Sequence, residues 1–144
     1  FIAPAIKRAH ALFKEKLKEP HRIREAMDRL IPDQMGAGIC RADIIIEAVI
    51  EDLNIKQAVF KRIESTAKPD ALLATNTSSI PLDELNIALH NKQRLVGIHF
   101  FNPVAKMQLV EVVFSHETAR DVIAKAIGFV RRIDRLPLPV RSNP

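Results

Sequence analysis

A chain of 144 residues with 47% apolar side chains is long enough to bury the core of one domain, and its net charge of +5 is dispersed over many sites without any long like-charge run. With no Tyr or Trp there is no platform for stacking bases, so nucleic acid is not an expected partner, and the basic surface reads as a solvated face or as one suited to a phosphate-rich small molecule. Apolar runs such as Ile44-Ile45-Ile46 are too short to span a bilayer, no basic-then-apolar leader is evident, and Cys40 as the only cysteine excludes an internal disulfide, so no membrane span and a cytoplasmic, reducing setting are expected.

In chain order, the spacing predicts a helix over Pro4 to Glu19, with Ile6, Ala9, Phe13 and Leu17 on one stripe, ended by Pro20. A second helix follows over His21 to Leu30, and Pro32, Gly36 and Gly38 make a loop. Ala42 to Val49 is a β-branched run suited to a strand buried on both faces. Asn54 to Ala67 repeats Ile55, Val59 and Ile63 every fourth residue, a helix with one packed face. Lys68-Pro69-Asp70 is a turn and Leu72 to Thr75 a strand, while Pro81 to Leu89 is a helix with Asp83 and Glu84 where its dipole favours them. Strands are expected over Arg94 to Phe100 and Leu109 to Phe114, a helix over Ser115 to Arg132 with Ser115 as N-cap, and a last strand over Leu136 to Val140.

Strands alternating with helices imply an α/β fold, a doubly wound and mostly parallel sheet. Ligands in such sheets lie beyond the carboxyl ends of the strands, where Glu47 to Glu51, Asn76 to Ser79 and His99 to Asn102 all fall. A hydroxyl, an imidazole and a carboxylate that converge there are the parts of a general-base alcohol oxidation. Taken singly these residues have plainer readings. Ser78 suits a turn, Asn76 and Asn102 suit loops that bond their own backbone, Lys56 suits a solvated helix face, and Met107 suits core packing. Glu111 between valines differs, since a carboxylate on a buried strand needs a partner and an imidazole can serve. His10, His21, His90 and His116 show no metal-ligand spacing, so no metal is expected. The opening strand, G-x-G-x-x-G turn and helix that cradle a dinucleotide are not found; Gly36-Ala37-Gly38 lacks the third glycine and precedes a strand, so it reads as a loop.

The motifs Asn76-Thr77-Ser78-Ser79, His99-Phe100-Phe101-Asn102-Pro103 and Leu109-Val110-Glu111-Val112-Val113, with Ala42 to Val49, Glu51 and Lys56 before them, closely resemble the L-3-hydroxyacyl-CoA dehydrogenases. The resemblance implies a Rossmann-like NAD-binding domain that passes hydride from L-3-hydroxyacyl-CoA to NAD, giving 3-oxoacyl-CoA in fatty-acid β-oxidation. It implies that His99 takes the hydroxyl proton, that Glu111 bonds the other ring nitrogen and that Ser78 holds the substrate oxygen. Asn76 and Asn102 would lie near the nicotinamide ribose and the reacting centre, with Glu51 and Lys56 bordering the cofactor. Ala74 to Leu82 and Leu136 to Val140 are most similar to the multifunctional fatty-acid oxidation proteins, which implies an acyl-CoA substrate, a homodimer or a complex with a thiolase, and further domains. Residues 1–144 would then be a partial NAD-binding domain without the first glycine-rich βαβ segment and the helical domain, inactive alone, with Pro144 opening the family's Pro-Gly-Phe stretch. The alternative is a non-catalytic remnant or binding module that keeps the fold and holds no dinucleotide.

Overall fold

A computed structural model of the chain describes residues 2–142, so the expectation attached to Pro144 lies outside the described residues. The chain divides into two compact units, Phe1–Gly38 and Ile39–Pro144. In the first, α1 (Ile2–Leu17) and α2 (Pro20–Asp28) form a helical hairpin. The stripe Ile6, Ala9, Phe13 and Leu17 is the half-covered face of α1, as the periodicity predicts. Lys18 adopts a positive φ of 59° between the helices, and Pro20 opens α2, where its missing N–H has no partner to lose. The Gly36-Ala37-Gly38 stretch is a loop folded on Asp33, whose carboxylate accepts the amides of Ala37 at 3.0 Å and Gly38 at 2.6 Å. These amides, Gly38 first, hold the Asp33 carboxyl below its ordinary range.

The second unit is a five-stranded sheet in the order β1 (Ile44–Glu47), β2 (Leu72–Thr75), β3 (Leu95–Phe100), β4 (Leu109–Phe114), β5 (Leu136–Arg141). Every adjacent pair is parallel except β3 with β4. The exception follows from the connections: α3 (Leu53–Glu64), α4 (Leu82–Asn86) and α5 (Arg120–Arg132) carry the chain back between parallel strands, whereas β3 and β4 are joined by a loop without a helix. Side chains alternate between the two faces. Leu72, Ala74, Val96, Ile98, Val110 and Val112 pack with Val122, Ala126 and Val130 of α5. Leu73 and Leu95 pack on the other face with Phe60 and Ile63 of α3 and Leu82 and Leu85 of α4. Pro137 and Pro139 lie on β5 at the sheet's edge, where their missing amides discourage a further strand.

Some expectations need correction. The first strand covers only Ile44–Glu47, and its isoleucines are half-buried, because β1 pairs with β2 alone and forms the other edge. The packed face of α3 is Lys56, Phe60 and Ile63, while Ile55 is 41% exposed: Phe60 sets the rotation, and Lys56, one turn before it, is carried inward. Lys56 is therefore not on a solvated face. Ser115 does not cap α5, which starts at Arg120 behind Ala119. Ser115 instead closes a turn, its amide donating to Thr118 Oγ1 at 3.0 Å and its hydroxyl accepting the Glu117 amide at 3.2 Å.

Candidate active site

Because β3 and β4 run antiparallel, His99 and Glu111 are direct cross-strand partners with side chains on the same face. His99 Nδ1 lies 2.9 Å from Glu111 Oε2. A carboxylate only accepts, so the bond places the proton of the neutral ring on Nδ1 and leaves the lone pair on Nε2. Phe101 packs on the imidazole with ring centroids 4.7 Å apart, which limits the ring's orientation. His99 and Glu111 side chains retain 18% and 29% of their exposure, so the pair is shielded but reachable.

The pair borders a cleft of about 140 Å³ that also takes in Ser78, Gly97, Val113 and Arg141. Gly97 forms part of the floor between Thr75 and Val113 in register. A Cβ on Gly97 would stand 2.8 Å from Val113 Cβ, so the position must be bare for the strands to close. Gly97→Ala is expected to destabilise the protein by about 1–3 kcal/mol through overpacking, read from denaturant unfolding. An unchanged midpoint would show that β3 and β4 separate here at no cost.

Ser78 is exposed in the loop after β2, and among the described residues no group takes its hydroxyl. Asn76 is clasped at the strand ends, its amide donating to Glu47 O at 2.9 Å and its Oδ1 accepting the Phe100 amide at 3.0 Å. Asn102 is exposed after β3, ahead of a cis bond to Pro103, and does not line the cleft with His99. The structure thus brings Ser78, His99 and Glu111 together and leaves Asn102 apart from them.

Glu51 and Lys56 belong to a network at the ends of β1 and β2. Lys56 Nζ lies 2.7 Å from Glu47 Oε1 and 3.2 Å from Glu51 Oε2, with Lys56 and Glu47 side chains 1% and 0% exposed. Glu47 also accepts the Val49 amide at 2.6 Å and the Thr75 hydroxyl at 2.7 Å, so neither charge of the buried pair lacks a partner. Glu51, the exposed member at 41%, accepts the hydroxyls of Thr77 and Ser79. Burial pushes the Glu51 carboxyl up, but hydrogen bonds from Thr77, Lys56 and Ser79 and the Lys56 charge outweigh it, leaving it below its ordinary 4.5. A depressed folded-state value adds stability above the unfolded value and loses it as pH falls through the folded one. Unfolding free energy should therefore drop below pH 4.5, and Glu51→Gln should flatten that part of a urea-unfolding pH series. An identical acid slope in the variant would remove Glu51 from the account.

Glu47 and Thr77 fall in the strand-end segments that the sequence picks out but have no individual role there, and nothing in the sequence singles out Arg141 and Ser142. Glu47 had a signal, as a carboxylate in an apolar strand register; Thr77 had only its place beside Ser78. Ser142 reaches the site because its hydroxyl accepts the Leu82 amide at 3.3 Å, tying the end of β5 to the start of α4.

A mostly parallel α/β sheet with its polar cleft at the carboxyl ends of the strands defines a Rossmann-like domain of the dehydrogenase type. The family model described as "3-hydroxyacyl-CoA dehydrogenase, NAD binding domain" matches residues 3–143, and the chain belongs to this NAD-dependent 3-hydroxyacyl-CoA dehydrogenase family. The fatty acid oxidation complex subunit alpha of Psychrobacter arcticus is 37% identical over 125 residues, 87% of this chain and 17% of that protein. Among solved structures, 3-hydroxybutyryl-CoA dehydrogenase from Escherichia coli K12 aligns with a TM-score of 0.94 at 32% identity, covering 99% of this chain and 31% of that one. The dehydrogenase part of multifunctional enzyme 1 from C. elegans gives 0.82 at 31% identity, covering 96% and 32%. The chain thus spans less than a third of the length of each of these relatives. No helix among the described residues is long and apolar enough to cross a membrane.

Proposed function

We propose that the chain supplies the proton-transfer half of an L-3-hydroxyacyl-CoA dehydrogenase of fatty-acid β-oxidation, with NAD as hydride acceptor. The observation that carries this reading is the His99–Glu111 pair opening on the same cleft as the unengaged Ser78 hydroxyl. Ser78 holds the substrate's 3-oxygen, and His99 Nε2 takes the hydroxyl proton. Glu111 stabilises the imidazolium that results and keeps the ring in the tautomer that can accept. When bound, NAD supplies the hydride-accepting ring. Asn76 and Glu51 stand at the strand ends where the ribose and nicotinamide would lie, with Lys56 beneath Glu51; Asn102, which does not line the cleft, would meet the cofactor from the loop after β3. The cradle for the pyrophosphate is not formed by these residues, and we assign it to a glycine-rich βαβ segment pairing along the open edge of β1. A helical domain completing the acyl-CoA pocket, a homodimer or thiolase complex, and a cytoplasmic setting are part of the same proposal.

The test is NADH formation by the full-length protein with L-3-hydroxybutyryl-CoA. Turnover with NAD and 3-oxoacyl-CoA as product are expected; no oxidation by a protein that binds NAD would overturn the assignment. Glu111→Gln should lose less turnover than removal of the imidazole, because the ring stays in place while the charge that stabilises the imidazolium in the transition state is gone. Unchanged turnover would reduce Glu111 to a structural role.

A further inference from the structure

Both neighbours of Ser78 are tied to one oxygen. Thr77 Oγ1 donates to Glu51 Oε1, and Ser79 Oγ donates to the same atom at 3.0 Å. The Thr77 hydroxyl also accepts the amides of Ile80 at 3.0 Å and Ser79 at 3.3 Å, so its one donor and both lone pairs are occupied. From below, the Thr77 amide donates to Thr75 Oγ1 at 3.3 Å, and Thr75 donates to the buried Glu47 that Lys56 neutralises. Ser78 is therefore the free middle residue of a turn pinned at both sides, and its side chain opens on the cleft with His99.

We infer that Thr77, acting through Glu51 and assisted by Ser79, is a positioning residue that holds Ser78 at working distance from His99. The inference rests on the reading that Ser78 binds the substrate oxygen. Its physical basis is the steep dependence of such reactions on placement: an error of about 1 Å at the reacting group costs on the order of 10²-fold. Thr77 is 9% exposed, and its hydroxyl makes three hydrogen bonds, one donated to Glu51 and two accepted from the amides of Ser79 and Ile80, which fix both ends of the turn that presents Ser78.

The experiment is a double-mutant cycle in the full-length enzyme. Thr77→Val keeps the side-chain shape and removes the hydroxyl; it should lower kcat for hydroxyacyl-CoA oxidation by roughly 10–100-fold, more than it raises KM for the acyl substrate. Thr77→Ser, which keeps the hydroxyl, should restore most of the loss. In a Ser78→Ala background Thr77→Val should cost less than about threefold more, because the group it positions is already gone. Ser79→Ala, at an exposed site where substitutions usually change stability little, should show a smaller loss that also vanishes in that background. Losses that multiply in the double variants, or normal turnover of both Thr77→Val and Ser79→Ala, would overturn the inference. Near-normal turnover of Ser78→Ala alone would instead overturn the role of Ser78, so the two failures are distinct.

Discussion

His99→Ala in the full-length enzyme is expected to lower kcat by roughly 10²–10⁴-fold, the usual contribution of a general base. That corresponds to about 3–5 kcal/mol of barrier at 1.36 kcal/mol per decade. The loss should appear in kcat and kcat/KM together, because the imidazole acts on a proton that moves in the transition state and not on ground-state binding. The structure supports a large effect for a definite reason: Nδ1 is committed to Glu111 at 2.9 Å, so Nε2 is the only ring atom able to take a proton. Among the described residues no other imidazole lines the cleft. Steady-state kinetics settle the matter, and a variant within about threefold of wild type would move proton abstraction to another group. Thermal unfolding of the variant should be nearly unchanged, since His99 is a half-buried side chain at a strand end.

The sheet was legible because its signals are local. Apolar runs beginning at Ile44, Leu72, Leu95 and Leu109, separated by helix periods and turn residues, place these strands within a few residues of their positions. What was not legible depends on partners distant in the chain. Ser115 carries a capping side chain, but Thr118 three residues on bonds its amide, and the helix begins only after the resulting turn. The coverage of β1 depends on what lies along its outer edge, which its own residues do not encode.

The site shows the same division. The meeting of His99 with Glu111 depends on the antiparallel register of β3 and β4, which the residues do not spell out; they offer only that a carboxylate between valines needs a partner, and the resemblance pairs it with His99. Lys56 is the opposite case. A lysine within a helix reads as surface from charge alone, and only the spacing to Phe60 and Ile63 together with an acidic residue in the neighbouring strand points inward. The period of four through Ile55, Val59 and Ile63 is complete in itself and competes with the stripe through Lys56, Phe60 and Ile63 that the fold buries. Thr77 and Ser79 were likewise hidden, since hydroxyls beside a candidate Ser look like ordinary turn residues until the carboxylate that gathers them is located.

The buried pair leads to the largest expected change in stability. Lys56→Met removes the cation but leaves the Glu47 carboxylate fully enclosed, with only the Val49 amide and the Thr75 hydroxyl as donors. Breaking a buried pair by deleting one partner costs about 3–5 kcal/mol. Set against a typical domain stability of about 5–15 kcal/mol, such a loss removes a large share of the total. The pair itself need not be favourable overall, because the desolvation of two ions offsets much of their attraction. Adding Glu47→Gln to Lys56→Met should therefore recover much of the loss: the amide oxygen in the place of Oε1 can still accept from Val49, the amide NH2 in the place of Oε2 can donate to the Thr75 hydroxyl, and no enclosed charge remains. Urea unfolding of the single and double variants decides between the alternatives. If Lys56→Met alone were within about 0.5 kcal/mol of wild type, the variation typical of exposed positions, Lys56 would not be held in the core as described. If the double variant were no better than the single, the loss would lie in packing around the lysine's methylenes rather than in an orphaned carboxylate.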